Sequence, residues 1–317
     1  MMALYITESE VNKIINIKLA LNSVEDAFQM MAKGEAVNKP RERLPLGSTS
    51  MNYMSAGIDT DNITGLKVYV PNSGGTKFYV HIMNAETGEM ISIIEANTLG
   101  QYRTGAASGI ASKFLANSNS KNVLLVGSGF QSFTQALALD EIFNLDEIFV
   151  YSRSKENRMN FIDRYQSKIN SKLTQVDDIN KIDDIDIINI ITNSKSPVIN
   201  EELVDKGTHI NAAGSNHSLR RELDTKTILK ADYIFVDDLD QARKECGDLI
   251  YPESLGLIQW RDVINFSDIF RFPERYSRKK NDITIFEISG LAIWDLVLAN
   301  KLYKIAREND LGTEIHV

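Results

Sequence analysis

An apolar run that ends in two glycines constrains the fold of this chain more than any other stretch. Residues 122–126 read Asn-Val-Leu-Leu-Val, and Gly127 and Gly129 come directly after them. Four consecutive apolar residues predict a strand that is buried on both faces, as in a parallel sheet. Residues 132–139 then have the composition of a helix with one apolar side.

A strand, a glycine turn and a helix in this order can bind a pyrophosphate. The turn lets the backbone approach the phosphates, and the helix N-terminus supplies free N–H groups and a partial positive charge. The stretch departs from the usual three-glycine fingerprint, because Ser132 stands at the third glycine position. Since a Gly-x-Gly pair alone is a weak signal, the surrounding pattern has to decide its meaning.

Strands and helices alternate around this turn. Apolar segments that predict strands recur at 147–151, 185–191, 209–213 and 233–236, with helix-forming stretches between them. Such alternation with short links is typical of a doubly wound parallel sheet. The chain is therefore expected to contain a Rossmann-like α/β unit with the glycine turn after its first strand.

The first hundred residues follow a different pattern. Thr7 and Glu10 form a capping box, which predicts that a helix begins there. Residues 77–83 and 89–96 predict a hairpin around the turn at 84–88. This part of the chain is expected to be an α+β domain with an antiparallel sheet, and a short strand near residues 311–316 could return to it.

Three basic residues in this first part are candidates for contacts with an anionic group. Arg41 lies in an extended, proline-flanked segment, where it could clamp a carboxylate through two parallel hydrogen bonds or simply face solvent. Lys67 is set among the apolar residues of a predicted strand. On a sheet edge it would be exposed, whereas burial would lower its pKa and make it a candidate base.

The third basic residue, Arg103, lies in a predicted helix of unusual composition. A second capping box, from Thr98 to Gln101, predicts the start of this helix. Gly105 and Gly109 each cost roughly 1 kcal/mol of helix stability relative to alanine. That cost indicates that another backbone or a ligand comes close to the helix, so we expect Arg103 to contact an anion.

The end of the second strand of the alternating region bears on the choice of cofactor. An acidic residue there would bind the ribose 2′-hydroxyl of NAD, but this chain has Ser152, Arg153 and Ser154. An arginine between two hydroxyls suits a 2′-phosphate, so the sequence favours NADP(H) over NAD(H). The alternative is a polar loop without a role in recognition. Thr192 and residues 211–216 follow later strands and are expected to line the cofactor or the substrate.

Composition excludes several classes of function. The chain has 43 acidic and 35 basic residues and a net charge of −8, which argues against nucleic acid or an anionic membrane as the main partner. A single cysteine, Cys246, rules out an internal disulfide framework and fits a reducing cytoplasm. No apolar run approaches the roughly 20 residues of a membrane span. The four histidines show no metal-ligand spacing, so no metal site is expected.

Several of these stretches together resemble the ornithine cyclodeaminase/mu-crystallin family, and the resemblance covers nearly the whole chain. It rests on Lys67 within Gly-Leu-Lys-Val, and on residues 84–88, 103–107, 127–131, 211–216, 221–224 and 286–295. Together these spacings are specific to the family, although they do not distinguish one activity within it.

The resemblance implies two domains. Residues 1–115 and 305–317 would form an α+β substrate-binding and dimerisation domain built from both chain ends, and residues 116–304 would form the Rossmann domain. Members of the family bind NAD or NADP and move a hydride to or from the α-carbon of an amino or imino acid. The chain would then act on a small amino acid or its imine, as alanine dehydrogenases and ketimine reductases do, and would form a homodimer.

Roles for single residues follow from the resemblance by motif. Arg41 and Arg103 would hold the substrate carboxylate, and Lys67 would be the catalytic residue that assists proton transfer. The residues expected to contact the cofactor are Thr104, Gly127, Gly129, Phe130, Gln131, Ser152, Arg153, Ser154, Thr192 and Ala213.

Position 216 separates this chain from one branch of the family. Cyclodeaminases place an aspartate there, which deprotonates the side-chain amine for ring closure. Asn216 cannot take a proton, so the motif is similar to that of dehydrogenase or imine-reductase members, in which it would contact the substrate. Two alternatives stay open: cyclisation of ornithine to proline with loss of ammonia, and cofactor-dependent binding without turnover.

Overall fold

The computed structural model describes residues 2–72 and 74–317, and the chain divides into two units. The first consists of Met1–Arg103 and Leu291–Val317, and the second of Thr104–Gly290. These limits differ from the expected domain boundaries at two places. Residues 104–115 group with the second unit. Residues 291–304 group with the first unit, because they belong to a long helix that packs against the strands of that unit.

The strands are numbered in chain order. They are β1 (Met2–Ile6), β2 (Ala36–Asn38), β3 (Glu42–Leu46), β4 (Thr49–Ile58), β5 (Ile63–Asn72), β6 (Gly75–Asn84), β7 (Met90–Glu95), β8 (Asn122–Val126), β9 (Glu147–Tyr151), β10 (Lys172–Gln175), β11 (Ile187–Ile190), β12 (His209–Ala212), β13 (Tyr233–Val236), β14 (Val263–Asn265), β15 (Thr284–Glu287) and β16 (Thr313–His316). The helices are α1 (Glu8–Ile14), α2 (Ile17–Lys33), α3 (Asn97–Leu115), α4 (Ser132–Ile142), α5 (Lys155–Tyr165), α6 (Thr225–Lys230), α7 (Leu239–Glu245), α8 (Gly247–Ser254), α9 (Asp268–Arg271) and α10 (Ala292–Glu308).

The first unit is built on a mostly antiparallel sheet, as the sequence predicted. Among the residues described, eight strands join in the order β16-β1-β7-β6-β5-β4-β2, and β3 pairs with β4 beside this path. Only the pairing of β1 with β7 is parallel within that described sheet. The predicted hairpin of β6 and β7 is confirmed, and the C-terminal strand β16 does return to pair with β1.

The two predicted capping boxes had different outcomes. The first is confirmed, since the Thr7 side chain accepts from the Glu10 N–H and Glu10 reaches back to Thr7. The second is wrong, because α3 begins at Asn97 and Thr98 already lies inside it. The carboxylate of Glu8 accepts hydrogen bonds from the N–H groups of Asn97 (3.0 Å) and Thr98 (2.6 Å) instead. A residue from a distant helix therefore caps α3.

Helix α10 forms the core of the first unit together with α2 and the sheet. It packs against α2 and against β4, β5 and β6. Trp294 on α10 is fully buried and meets Phe28 of α2 edge to face, with 5.4 Å between the ring centroids. This packing explains why the residues of α10 group with the first unit.

The second unit contains the predicted doubly wound parallel sheet. In this described part of the chain, eight strands pair in the order β10-β9-β8-β11-β12-β15-β13-β14, and every pairing is parallel. The strand order reverses at β8, so the glycine turn lies at the switch point where open α/β sheets bind ligands.

Alternate residues of β8 enter two separate hydrophobic cores. Leu124 and Val126 belong to the core on one face of the sheet, and Val123 and Leu125 to the core on the other face. This arrangement accounts for the uninterrupted apolar run that the sequence shows at this strand.

Candidate functional site

Lys67 of β5 is buried and forms an ion pair. Its side chain is 3% exposed, and its Nζ atom lies 2.6 Å from Oδ1 of Asp295 on α10. The ammonium group also lies 5.1 Å from the centre of the Phe78 ring. The exposed-edge alternative for this lysine is therefore excluded.

A glycine two residues earlier makes this pair possible. Gly65 lies on the same face of β5 as Lys67. A Cβ atom at position 65 would lie only 2.5 Å from Cδ1 of Leu296 and 2.9 Å from the carbonyl oxygen of His81. The absence of a side chain thus lets α10 approach the strand closely enough for Asp295 to reach Lys67.

The two arginines predicted to bind a carboxylate lie in the same unit as this pair. Arg103 is 8% exposed, and its Nε atom lies 3.3 Å from the same Asp295 oxygen. Its guanidinium is stacked near Trp294, 5.6 Å from the ring centre. Arg41, which directly precedes β3, is 5% exposed. Two guanidinium groups therefore lie close enough to the Lys67–Asp295 pair for their charges to act on Lys67.

The pKa of Lys67 is lowered to about 8. Burial is the main cause, because desolvation disfavours the ammonium form. The Asp295 charge raises the pKa, whereas the charges of Arg103 and Arg41 lower it. Lys67 therefore exchanges a proton close to neutral pH, which is what a general acid–base group requires.

Asp295 is a site residue that the sequence prediction missed. Its Oδ1 atom pairs with Lys67 and Arg103, while its buried Oδ2 atom has no hydrogen-bond partner among the described residues. The available signal was a single acidic residue within the otherwise apolar run 291–298. Charged residues are rarely buried unless they are paired, so such an aspartate indicates a partner elsewhere.

The glycine turn of the second unit has the backbone geometry that its residues suggested. Gly127 has a φ of +127°, and a Cβ atom there would lie 2.3 Å from the carbonyl oxygen of Ile191. At Gly129, by contrast, an added Cβ would meet no described atom within 4 Å. Phe130 follows with 61% of its surface exposed, and the α4 helix starts at Ser132. Gly127 is thus required by the fold, while Gly129 presents an open surface.

The glycines of α3 are explained in part by a neighbouring backbone. A Cβ atom at Gly105 would lie 2.2 Å from the carbonyl oxygen of Thr134 on α4. The sequence left open whether another backbone or a ligand comes close to α3, and at Gly105 it is the backbone of α4. The adjacent Thr104, a predicted cofactor residue, is 8% exposed.

The turn after β9 is fixed by an arginine that the sequence prediction did not select. Arg158 is 4% exposed and donates hydrogen bonds to the Ser152 carbonyl and to Asp177. The hydroxyl of Ser128 donates to that of Ser152 at 2.8 Å, which ties the glycine turn to this one. Ser154 caps α5 and Arg153 is exposed. Arg158 thus holds the turn, and Arg153 is the arginine that reaches solvent.

The loops after β11 and β12 are joined by a second residue that was missed, Glu222. Its carboxylate accepts hydrogen bonds from the N–H of Thr192 at 2.8 Å and from the N–H of Gly214 at 2.7 Å. Ala213 and Asn216, both in the loop after β12, are half-buried. The predicted residues therefore form one group in each unit. Arg41, Lys67 and Arg103 lie in the first, and those from Thr104 to Asn216 lie in the second.

No group of three His, Cys, Asp or Glu side chains among residues 2–72 and 74–317 could hold a metal ion. Over the same residues, the helices lack the combination of length and apolar character that crossing a membrane demands.

The chain is similar in sequence and in structure to several known proteins. The model of the family described as ornithine cyclodeaminase/mu-crystallin matches residues 1–310. Alanine dehydrogenase of Archaeoglobus fulgidus is 32% identical over 324 residues, which cover 99% of this chain and 98% of that protein.

Two solved structures share the fold over nearly their whole length. An archaeal alanine dehydrogenase dimer with bound NAD has a TM-score of 0.93 and 30% identity, covering 100% of this chain and 99% of that one. Delta(1)-pyrroline-2-carboxylate reductase of Thermococcus litoralis, in complex with NADH and L-proline, has a TM-score of 0.93 and 27% identity, covering 98% and 100%.

Proposed function

The chain belongs to the ornithine cyclodeaminase/mu-crystallin family, as its motifs predicted, and we propose that it is an NAD(P)-dependent oxidoreductase acting on the α-carbon of a small amino acid or its imine. The observation that carries this proposal is the buried Lys67, whose pKa is lowered to about 8 beside Asp295, Arg41 and Arg103. Perturbed titratable groups of this kind concentrate at functional sites.

The two arginines supply the carboxylate-binding function. Guanidinium groups bind carboxylates through two parallel hydrogen bonds, and arginine is the residue of choice for such contacts in buried settings. Arg41 and Arg103 would therefore hold the α-carboxylate of the substrate. Fixing that group also fixes the α-carbon and the amine next to it, and such orientation contributes a large part of enzymatic rate enhancement.

Lys67 supplies the acid–base function. In the oxidative direction the α-C–H bond breaks with its electron pair leaving as hydride, and the amine loses a proton to the neutral Nζ of Lys67. In the reductive direction the protonated Nζ returns that proton to the nitrogen. When bound, the nicotinamide cofactor accepts or donates the hydride. Asp295 orients the Nζ atom through its 2.6 Å contact.

The second unit has features that fit a dinucleotide. The glycine turn lies at the switch point of the parallel sheet, and Gly129 leaves an open surface where a pyrophosphate can approach the backbone. Gly127, Gly129, Phe130 and Gln131 would hold the pyrophosphate. Thr104, Thr192 and Ala213 would contact the remainder of the cofactor.

For the form of the cofactor we propose a preference for NADP(H). Arg153 is exposed between Ser152 and Ser154 at the position that meets the adenosine ribose in this fold. The two related structures contain NAD and NADH, so the preference has to be measured. Arg153→Ala should raise the KM for NADP(H) and leave the KM for NAD(H) nearly unchanged. Equal effects on both cofactors would refute the preference.

We also propose that the chain forms a homodimer through the first unit. Leu44, Leu46, Tyr53 and Val70 lie on one face of β3, β4 and β5 by strand register, and each is 39% to 53% exposed. An exposed apolar sheet face is typical of a protein interface. Tyr53→Lys should shift the protein toward monomer in sedimentation equilibrium. A wild-type protein that is monomeric throughout would refute the proposal.

The activity is tested with a substrate panel and both cofactors. Alanine, proline, their imines and ornithine are mixed with NAD(H) or NADP(H), and the absorbance of the reduced nicotinamide is followed. Oxidation or reduction of at least one amino or imino acid is expected. Conversion of ornithine to proline and ammonia without net cofactor change would support cyclodeamination instead, and no turnover of any compound would favour a binding protein.

A lysine variant tests the assigned mechanism. Lys67→Ala should abolish turnover while NADPH binding is retained, because Lys67 lies in the first unit and the glycine turn in the second. Lys77→Ala, at an exposed position on the neighbouring strand β6, is the matched control and should retain activity. Retained turnover in Lys67→Ala would refute the role of the lysine.

A further inference from the structure

A fully buried glutamate links the loops at the carboxyl ends of two adjacent strands. Oε1 of Glu222 accepts hydrogen bonds from the N–H of Thr192 at 2.8 Å and from its hydroxyl at 2.5 Å. Oε2 accepts from the N–H of Gly214 at 2.7 Å, and the backbone N–H of Ser215 also donates to this carboxylate. Four donors from the loops after β11 and β12 thus converge on one side chain.

The backbones of the two loops are in close contact next to this carboxylate. A Cβ atom at position 214 would lie 2.3 Å from the carbonyl oxygen of Thr192 and 2.4 Å from Oε1 of Glu222. No larger residue than glycine fits there. The carboxylate therefore fills the space between the loops and fixes their spacing.

A second buried carboxylate, that of Asp248, binds the backbone of Glu222. Oδ1 of Asp248 accepts from the N–H groups of Glu222 and Leu223, both at 2.9 Å, and Asp248 is 2% exposed. Next to it, a Cβ atom at Gly247 would lie 2.1 Å from the carbonyl oxygen of Arg220. The segment that carries Glu222 is therefore pressed against the start of α8.

We propose that Glu222 is a positioning residue for the nicotinamide half of the cofactor. This inference rests on the proposed function. In a doubly wound sheet the dinucleotide crosses the switch point, with one mononucleotide half on each side. The glycine turn lies at that point, the turn after β9 lies on one side of it, and β11 and β12 lie on the other. Glu222 acts by holding Thr192 and Gly214 in place, and not by touching substrate or cofactor.

The chemistry of the contact requires a carboxylate. An ionised glutamate is an acceptor at both oxygens, whereas glutamine presents one acceptor and one NH₂ group. In Glu222→Gln an NH₂ group would face the N–H donors of Thr192 or of Gly214, and those buried donors would lose their partner. The loops should then separate although the side chain keeps its size.

The test compares Glu222→Gln with wild type in the binding of NADH and of ADP-ribose, which lacks the nicotinamide. We expect the Kd for NADH to rise by roughly tenfold or more, as the loss of charge-assisted hydrogen bonds implies, and kcat to fall. The Kd for ADP-ribose should change by less than about twofold, because its pyrophosphate and adenosine contacts lie at the switch point and on the side away from β11 and β12. Glu201→Gln, which removes a charge from a surface ion pair with Lys226, is the control.

Equal losses for NADH and ADP-ribose, or no loss for either, would overturn the positioning role. Wild-type protein that binds neither of these compounds nor NADPH would refute the proposed function itself. If Glu222→Gln does not fold, Glu222→Asp carries the same comparison, since it keeps the charge but shortens the reach; an unchanged NADH affinity in that variant would also overturn the proposal.

Discussion

The Nζ atom of Lys67 lies 2.6 Å from Oδ1 of Asp295, although 228 positions separate the two residues in the chain. Both side chains are almost fully buried, at 3% and 1% exposure. Because desolvation offsets most of the Coulomb attraction of such a pair, its presence is weak evidence for stability. The pair is better explained by its effect on the pKa of Lys67, which the Asp295 charge raises.

The first prediction concerns this proton affinity. Burial lowers the pKa of Lys67 to about 8, and the charge of Asp295 opposes the effect. Asp295→Asn removes that opposition, so the pKa of Lys67 should fall further. Since amino-acid oxidation requires the neutral amine, its rate rises with pH through this pKa, and in the variant the rise should begin at lower pH.

The measurement is kcat/KM against pH for oxidation of one substrate by both proteins. The ionisation of the substrate is the same in the two profiles, so the displacement reports on the enzyme. Asp26→Asn, which breaks a partly exposed pair with Lys301, is the control. A profile that stays in place, or moves to higher pH, would contradict the coupling between Asp295 and Lys67.

The second prediction separates the two glycines of the turn. Gly129→Ala should leave the midpoint of urea unfolding unchanged, because the added methyl group meets no described atom within 4 Å. It should weaken NADH binding, since the methyl group occupies the surface that a pyrophosphate approaches. Binding that is unaffected by the substitution would show that the cofactor does not cross this surface.

Gly127→Ala is the contrasting variant. Its φ of +127° disfavours any side chain, and the new Cβ atom would lie 2.3 Å from the Ile191 carbonyl oxygen. We expect a loss of stability, which can be measured by urea unfolding. If instead both variants unfold at the same urea concentration as wild type, the turn is more adaptable than its geometry indicates.

The fold could be predicted largely from local patterns. The run at β8 and the following strand alternate with helices, and this repetition indicates a parallel sheet. The helix predicted between β11 and β12 was wrong, because that connection has only a short 3-10 helix at Glu201–Leu203. The hairpin of β6 and β7 was marked by its turn at residues 84–88. These signals are local in sequence.

Contacts between distant residues could not be predicted in this way. Whether Lys67 is exposed depends on β4 and β6 on either side of its strand and on α10, which comes more than two hundred residues later. The supposed capping box at Thr98 failed for the same reason, because Glu8 supplies the cap from another helix. Asp295 and Glu222 were missed because their importance lies in the partners that the fold brings to them.

The third prediction concerns the close approach of α10 to β5. Gly65→Ala would place a methyl group 2.5 Å from Leu296 and 2.9 Å from the His81 carbonyl oxygen. Overpacking of this kind typically costs about 1–3 kcal/mol of unfolding free energy. Displacement of α10 would also lengthen the Lys67–Asp295 contact, so turnover should fall.

Gly57→Ala on the neighbouring strand β4 is the matched control. A Cβ atom there would lie 3.8 Å from the Ile63 carbonyl oxygen, which is ordinary van der Waals contact. Urea unfolding of both variants should show a loss only for Gly65→Ala. Equal stabilities would mean that α10 can shift away without cost.

The fourth prediction concerns a buried carboxyl group of the second unit. Asp237 is fully buried and accepts hydrogen bonds from the N–H groups of Ser289, Gly290 and Asp238. Burial raises its pKa from 3.8 to about 7, because the N–H groups offset the desolvation only in part. The folded protein therefore keeps a proton that the unfolded chain releases near pH 4.

The sign of the pH dependence follows from this difference. Stability from the protonated form is fully present below pH 3.8 and is lost as the pH rises to about 7. At 1.36 kcal/mol per pKa unit, the loss amounts to at most about 4 kcal/mol. Asp237→Asn cannot titrate, so its unfolding free energy relative to wild type should increase by up to this amount between pH 4 and pH 7, then level off.

Urea unfolding at a series of pH values gives this difference directly. Asp59→Asn, which removes an exposed carboxylate, is the control for the loss of one negative charge. The other buried carboxyl groups are present in both proteins, so their titration largely cancels in the comparison, apart from that of Glu287, whose pKa is raised in part by the Asp237 charge. A difference between Asp237→Asn and wild type that stays constant over this pH range would show that Asp237 is ionised in the folded protein throughout.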